Sequence, residues 1–323
     1  MQRRRGPGGI WDRYERTAYR PFREAASRYL KEFDGKDKRR QALALESLIP
    51  YIGETPLIDV NDGALEQFKE DRLNGRGAFE RKAMAGTVNK EITVCTTVLN
   101  RACRDWDLIP RAPRLRRVKG PVRTSYPLTW AEQDRLFSQF TNGWDRGCLL
   151  FAINTGVRRA ELFGLQWSDM VPIPELETYV FILHGDNTKN GQDRAVICNS
   201  IARRAVNYQR GNGSKYVFPS QHHQNVGSRV YAPGKVFADA WKKAGLPSGP
   251  LTRRGIHNLR FSFATRLRAM GVPEEDRAAL LGHNNASLVQ HYALPDIERL
   301  SEMAERVTVR KETTVLRVKN SVA

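Results

Sequence analysis

Negative charge is scarce in this sequence. Its 323 residues hold 35 Asp and Glu against 53 Lys and Arg, a formal net charge of +18, and the pI is about 10.1. Such an imbalance says nothing about fold, but it points to a polyanionic partner. No single tail supplies it: residues 1–125 carry 27 basic and 17 acidic residues, a net of +10, and the remainder carries +8. Long apolar runs are missing as well. The mean hydropathy is −0.55 and nothing approaches the ~18–20 apolar residues of a membrane span, so no membrane contact is expected. Met1 to Gly9 is basic with no apolar segment behind it, which argues against a secretory signal and for a cytoplasmic protein. Cysteine is limited to Cys95, Cys103, Cys148 and Cys198, without a C-x-x-C pair. That excludes a zinc ribbon or a disulfide framework and fits reduced, mostly buried thiols. A Walker A loop is absent, since Gly211-Asn212-Gly213-Ser214-Lys215 lacks its spacing, and His222-His223 has no partner at metal-ligand spacing. Neither a cofactor nor a metal is expected.

What is present reads as two domains. Residues 1–13 form a basic arm with Arg3-Arg4-Arg5. Pro21 suits a first helical turn, and Phe22, Ala25, Ala26, Tyr29, Leu30 and Phe33 follow at helical spacing. A second helix spans about Lys38 to Ile52. Asn61 or Asp62 is placed to cap a third with Leu65 and Phe68; Thr87 is placed to cap a fourth with Val88, Ile92, Cys95, Leu99, Ala102 and Trp106 inward. Residues 14–108 thus read as a small helical domain. Residues 109–126 read as a basic linker. Pro110, Pro113 and Pro121 discourage a helix, and no acid stands between Asp107 and Glu132. Arg114, Arg116, Arg117, Lys119 and Arg123 there suit a strap along a phosphate backbone.

The second domain, 127–307, opens with the capping box Thr129-Trp130-Ala131-Glu132. Gly147 to Asn154 is apolar nearly all round, which predicts a buried helix ended by Gly156. Thr178 to His184 and Asp193 to Cys198 read as strands of a hairpin that turns at Asn190-Gly191. Helices are expected near 200–210, 234–244, 256–270, 273–281, 286–292 and 296–306. A tail over 308–323 carries strand-like residues from Thr313 to Val318, suited to an edge in another copy. The fold class is mainly α with a small β-sheet.

Several polar residues of the second domain stand beside structure punctuation. Arg158 follows a Thr-Gly break, Lys189 sits at the hairpin tip, and His257 and Arg260 share a helix face at i and i+3. His283 follows a Leu-Gly helix end, and Tyr292 comes nine residues later. The set is rich in donors and has no carboxylate pair. It suits attack on a phosphodiester without a metal. Arg158 and Arg260 would clamp the non-bridging oxygens, with His257 and His283 adding hydrogen bonds. Tyr292 would attack, and Lys189 would give a proton to the leaving 5′ oxygen. Arg159 reads as a surface or DNA-backbone residue, and Glu161 as a structural partner that orients a neighbouring arginine.

Thr155-Gly156-Val157-Arg158-Arg159-Ala160-Glu161-Leu162 resembles the Thr-Gly-x-Arg-x-x-Glu-Leu box of the tyrosine recombinase (phage integrase) family. His257-Asn258-Leu259-Arg260 resembles its His-x-x-Arg box, Leu281-Gly282-His283 its Leu-Gly-His box, Lys189 its hairpin lysine, and Tyr292 stands at its nucleophile position. The resemblance implies an N-terminal core-binding domain and a C-terminal catalytic domain that clamp double-stranded DNA. It implies a homotetramer on synapsed DNA, a 3′-phosphotyrosine intermediate, integration or excision of phage or mobile-element DNA in a bacterial host, and an accessory excision or bending factor. Asn258 departs from the family's usual Asp, and Ala160 from its usual Ser. Two other readings stay open at this point: a topoisomerase- or resolvase-type tyrosine enzyme, and a non-catalytic DNA-binding regulator on the same scaffold.

Overall fold

The computed structural model describes residues 19–121, 123–185, 193–221, 226–228, 234–248, 252, 255–283 and 296–311. The chain divides into two compact units, one within residues 1–122 and the other within 123–323. The first contains helices α1 (Phe22–Glu32), α2 (Lys38–Ile52), α3 (Glu66–Asn74) and α4 (Ala85–Arg104). Their periodic apolar positions meet in one core, where Phe22, Leu48, Ile52, Leu65, Phe68, Val88 and Leu99 are fully buried. Burial also pushes the Cys95 thiol up to about 12, which keeps it protonated and inert.

Two expected caps are displaced. The Asn61 side chain accepts from the Gly63 and Ala64 amides, so it closes the turn before α3 instead of capping the helix. Asp62 is engaged by Lys69 and Arg116. Helix α4 starts earlier than Thr87, because the Thr87 amide already bonds the Met84 carbonyl and Met84 takes the N-cap. The stretch expected as a linker lies along this first unit as far as residue 118. Ile109 and Leu115 enter its core, Asn89 exchanges two hydrogen bonds with the Val118 backbone, and the Arg116 amide and guanidinium both meet Asp62. An extended segment needs partners for its backbone groups, and these side chains supply them.

The second unit contains α5 (Trp130–Phe137), α6 (Gly143–Thr155), α7 (Arg159–Leu162), strands β1 (Met170–Ile173), β2 (Thr178–Leu183) and β3 (Arg194–Ile197), then α8 (Ser200–Asn207), α9 (Gly234–Lys243), α10 (His257–Ala269), α11 (Glu274–Leu281) and α12 (Ile297–Glu305). The strands form an antiparallel sheet in the order β1-β2-β3. Strand β1 escapes a sequence reading because Pro172 interrupts it; an edge strand tolerates the lost amide. The sheet is a middle layer. Phe181, Leu183 and Val196 join a core with α5, α6, α8 and α9, while Val180 and Ile197 join Phe263 and Leu267 of α10, Leu280 and Leu281 of α11 and Leu300 of α12.

Two ties secure the start of this unit. The Tyr126 amide donates to the Asn258 side chain and the Leu128 amide to the Ser262 hydroxyl, so α10 anchors the entering chain. The capping box at Thr129 and Glu132 forms as expected. Trp130 lies 3.6 Å under the Arg266 guanidinium and donates to the Lys311 carbonyl, and Arg310 forks onto Asp134. The root of the tail is therefore held by its own unit. The Asn190-Gly191 turn, the helix near 286–292, Thr313 to Val318, the basic arm and His222-His223 lie outside the described residues. No described helix is long and apolar enough to cross a membrane.

Candidate functional site

Two glycine-ended helices build the floor of the site. Helix α6 stops at Gly156 (φ 64°) and α11 stops at Gly282 (φ 60°), both left-handed. Helix ends leave carbonyls without intrahelical partners and carry the negative end of the helix dipole. Arginines fill that need here. Arg260, in the first turn of α10, donates from Nη1 to the Gly156 carbonyl and from Nη2 to the Leu281 carbonyl, each at 2.6 Å. Arg158, at the N-cap of α7, donates from Nη2 to the Gly282 carbonyl at 3.1 Å. The two boxes thus meet because the same turns that end the helices turn carbonyls toward the guanidinium groups.

Among the described residues, Glu161 supplies the one carboxylate of the cluster. Its Oε2 accepts the Arg158 amide at 2.8 Å and Nη2 of Arg194 at 2.7 Å; its Oε1 accepts Nη1 of Arg158 at 2.8 Å. Burial alone would raise its pKa, but Arg194 and Arg158 outweigh that and hold the carboxyl below its ordinary value. It stays ionised at neutral pH. Arg260 is 5% exposed, and burial with repulsion from Arg158 and Arg194 pushes it down to about 9. A guanidinium remains charged there at neutral pH. Three guanidinium groups against one carboxylate leave the cluster cationic, with most of its remaining partners neutral carbonyls.

His283 follows Gly282 directly, and its amide bonds the Ala278 carbonyl, which fixes where the residue leaves α11. Partial burial and the charges of Arg260, Arg158 and Arg194 hold its imidazole below the ordinary value. It is therefore neutral at pH 7. His257 opens α10 three residues before Arg260, with its ring edge-on to Phe261 at 5.0 Å. Lys189 and Tyr292 lie outside the described residues. The base of the Lys189 hairpin is described: Asp193 takes the Gly185 amide at 2.7 Å and faces the His184 Nδ1 at 3.3 Å. Arg159 is exposed, as are Arg114, Arg116, Arg117 and Lys119 on the first unit and Arg123 at the start of the second.

A model of the phage integrase family matches residues 128–299. The chain belongs to that family. The integrase of Salmonella phage P22 is 25% identical over 246 residues, which covers 73% of this chain and 62% of that protein. The tyrosine recombinase XerA of Pyrococcus furiosus is 28% identical over 206 residues, 61% of this chain and 67% of XerA. The chain therefore spans about two thirds of the curated relatives it matches. A lambda integrase dimer bound to a COC′ core site shares the fold with a TM-score of 0.67 at 16% identity, over 97% of this chain and 85% of that one. The Tn1549 transposon integrase in complex with transposon right end DNA gives a TM-score of 0.62 at 17% identity, over 90% of this chain and all of that one. This phage integrase family member thus has the family's mainly helical fold with its small sheet.

Sequence reasoning missed Arg194 in the site of this family member. A signal for it existed. Residues alternate faces along a strand, so Arg194 shares its face with the buried Val196 and had to point inward. An inward arginine in an apolar strand needs a buried carboxylate, and Glu161 was available.

Proposed function

We propose that this chain is a site-specific DNA recombinase that cuts and rejoins duplex DNA through a 3′-phosphotyrosine, acting as the integrase of a phage or mobile element. The observation that carries the reading is the convergence of Arg158 and Arg260, with His283 beside them, on the turns at Gly156 and Gly282. A phosphodiester carries one negative charge, and more develops on its oxygens as the tyrosine oxygen adds. A cluster of three guanidinium groups and one carboxylate has the matching excess, held rigidly before substrate arrives. Preorganised donors of this kind each lower a barrier by about 2.7–4 kcal/mol.

In this scheme the Tyr292 phenol gives up its proton to solvent, and its oxygen bonds to phosphorus while the bond to the 5′ oxygen breaks. Lys189 gives that oxygen a proton, and the neutral His283 donates a hydrogen bond to a non-bridging oxygen, as does His257. The ester keeps the energy of the cut bond, so religation by a 5′ hydroxyl needs no nucleotide. The 14–108 helical region acts as the core-binding domain and 127–307 as the catalytic domain. Arg114, Arg117, Lys119, Arg123 and Arg159 are backbone contacts. The working form is a tetramer on two synapsed DNA sites in the bacterial cytoplasm, with the tail beyond residue 311 reaching a neighbouring copy and an accessory bending or excision factor assisting.

The test is covalent trapping. The full chain is incubated with a pool of nicked suicide duplexes of randomised core sequence and resolved under denaturing conditions. A protein–DNA adduct with the wild type that disappears in Tyr292→Phe is the expected result. No adduct from a wild-type protein that binds the pool would replace the enzyme with a DNA-binding protein on the same fold.

A further inference from the structure

Arg194 belongs to none of the boxes that carry the family resemblance, yet it touches two of them. It opens β3, paired in register with Leu183 of β2. Its Nη2 meets Glu161 at 2.7 Å, where the side-chain exposures are 10% and 3%. Its Nη1 approaches the Leu280 carbonyl at 3.4 Å. Its shaft lies against Gly282 so closely that a Cβ there would come within 2.4 Å of the Arg194 Cδ. Arg194 also follows Asp193, which closes the base of the Lys189 hairpin. One side chain therefore joins the hairpin, the Arg158 turn and the turn that carries His283.

We propose that Arg194 is a positioning residue of the phosphate site, acting on Arg158 through Glu161 and on His283 through the Gly282 turn. The inference rests on the recombinase reading above. A purely stabilising role is the weaker account. Buried ion pairs add little net stability over apolar residues of similar size, and the neighbouring inward residues of this sheet are apolar. A buried guanidinium is costly to keep: desolvation lowers the Arg194 pKa, and its Nε has no hydrogen-bond partner among the described residues. What the arginine does is geometric. Glu161 has one oxygen for the Arg158 guanidinium and one shared by the Arg158 amide and Arg194. Arg194 fixes the carboxylate plane, and the carboxylate then fixes Arg158.

The test compares wild type, R194K and R194Q, each alone and with Glu161→Gln. Among the described residues, the charged groups facing Glu161 are Arg158 from its own turn, Arg194 from β3 and Arg260 from α10. Cleavage is read on the same suicide pool, and thermal stability is read from pH 3 to pH 8. R194Q is expected to bind the pool as the wild type does but to cleave on the order of a hundredfold more slowly, the penalty of a misplaced group. The stability difference between R194Q and its Glu161→Gln counterpart should vanish at a higher pH than in the wild type, because the cation that lowers the Glu161 pKa is gone. R194K should restore that pH position and only part of the rate. If R194Q does not fold, R194K against wild type decides by rate. Cleavage within twofold of wild type in both variants, or an unshifted pH profile in R194Q, overturns the proposal. If the wild type forms no adduct, the recombinase reading falls, and the pH profiles alone still decide whether Arg194 acts on Glu161.

Discussion

Arg260 donates to the Gly156 carbonyl at 2.6 Å across 104 residues of chain. This bond ties the His-x-x-Arg helix to the Thr-Gly turn and sets where Arg158 begins. The turn depends on glycine. A Cβ at residue 156 would meet the Phe263 ring at 2.6 Å, and φ is 64°. Gly156→Ala should therefore lower stability by about 1–3 kcal/mol from overpacking plus the left-handed strain. Urea unfolding checks the stability. Single-turnover cleavage should fall further than the loss of folded protein explains, since the carbonyl that holds Arg260 moves.

Arg260→Lys keeps the charge but loses the fork that reaches two carbonyls. One helix end is then left without its donor, and one donor to the phosphate disappears. We expect single-turnover cleavage to drop by about 10²–10³-fold, the typical effect of removing one preorganised donor. DNA affinity measured by gel shift should change much less. Equal losses in affinity and cleavage would show that Arg260 acts in ground-state binding.

His283 should titrate below the ordinary histidine value, because partial burial, Arg260, Arg158 and Arg194 all disfavour its charged form. The folded chain then binds fewer protons than the unfolded chain just below about pH 6.5. Stability present at neutral pH is lost as pH falls through the folded value. Imidazole NMR in Arg158→Ala should show the His283 midpoint moving upward. A midpoint that stays put would remove Arg158 from its surroundings.

The exposed cations near the join between the units make a salt-dependence prediction. Removing one cation that neutralises a phosphate should flatten the slope of log affinity against log salt by about 0.9. Arg114→Ala with Arg117→Ala is expected to give close to two such steps. Arg116→Ala should give less, because Asp62 already engages its guanidinium at 3.1 Å. A slope unchanged in the double variant would rule out a strap along the backbone.

Local punctuation made much of this molecule legible in advance. Pro21, the Thr129–Glu132 box, Gly156 and Gly282 mark helix ends by backbone chemistry that needs no tertiary context. Helix α2 spans the residues its periodicity predicts. The failures share a cause, which is that periodicity reports a face but not what meets it. Thr87 is a good cap by type, yet Met84 starts α4. The run after Ile109 looks like a free basic strap until Leu115 and Val118 find partners on the first unit. Arg158, Arg260 and His283 could be nominated one by one. That carbonyls of two helix ends hold them together, with Arg194 and Glu161 beneath, needed coordinates.

The acceptors around Arg260 are main-chain oxygens, and no codon change can replace an oxygen of the backbone. Mutation can reach this socket only through the arginine itself or through the glycine bends that aim it. The exposed basic run differs in kind, because there the charge sits on side chains that a single substitution removes. A side chain elsewhere can change without removing either oxygen, so the two bonds of Arg260 outlast any single substitution that leaves the arginine and both bends in place.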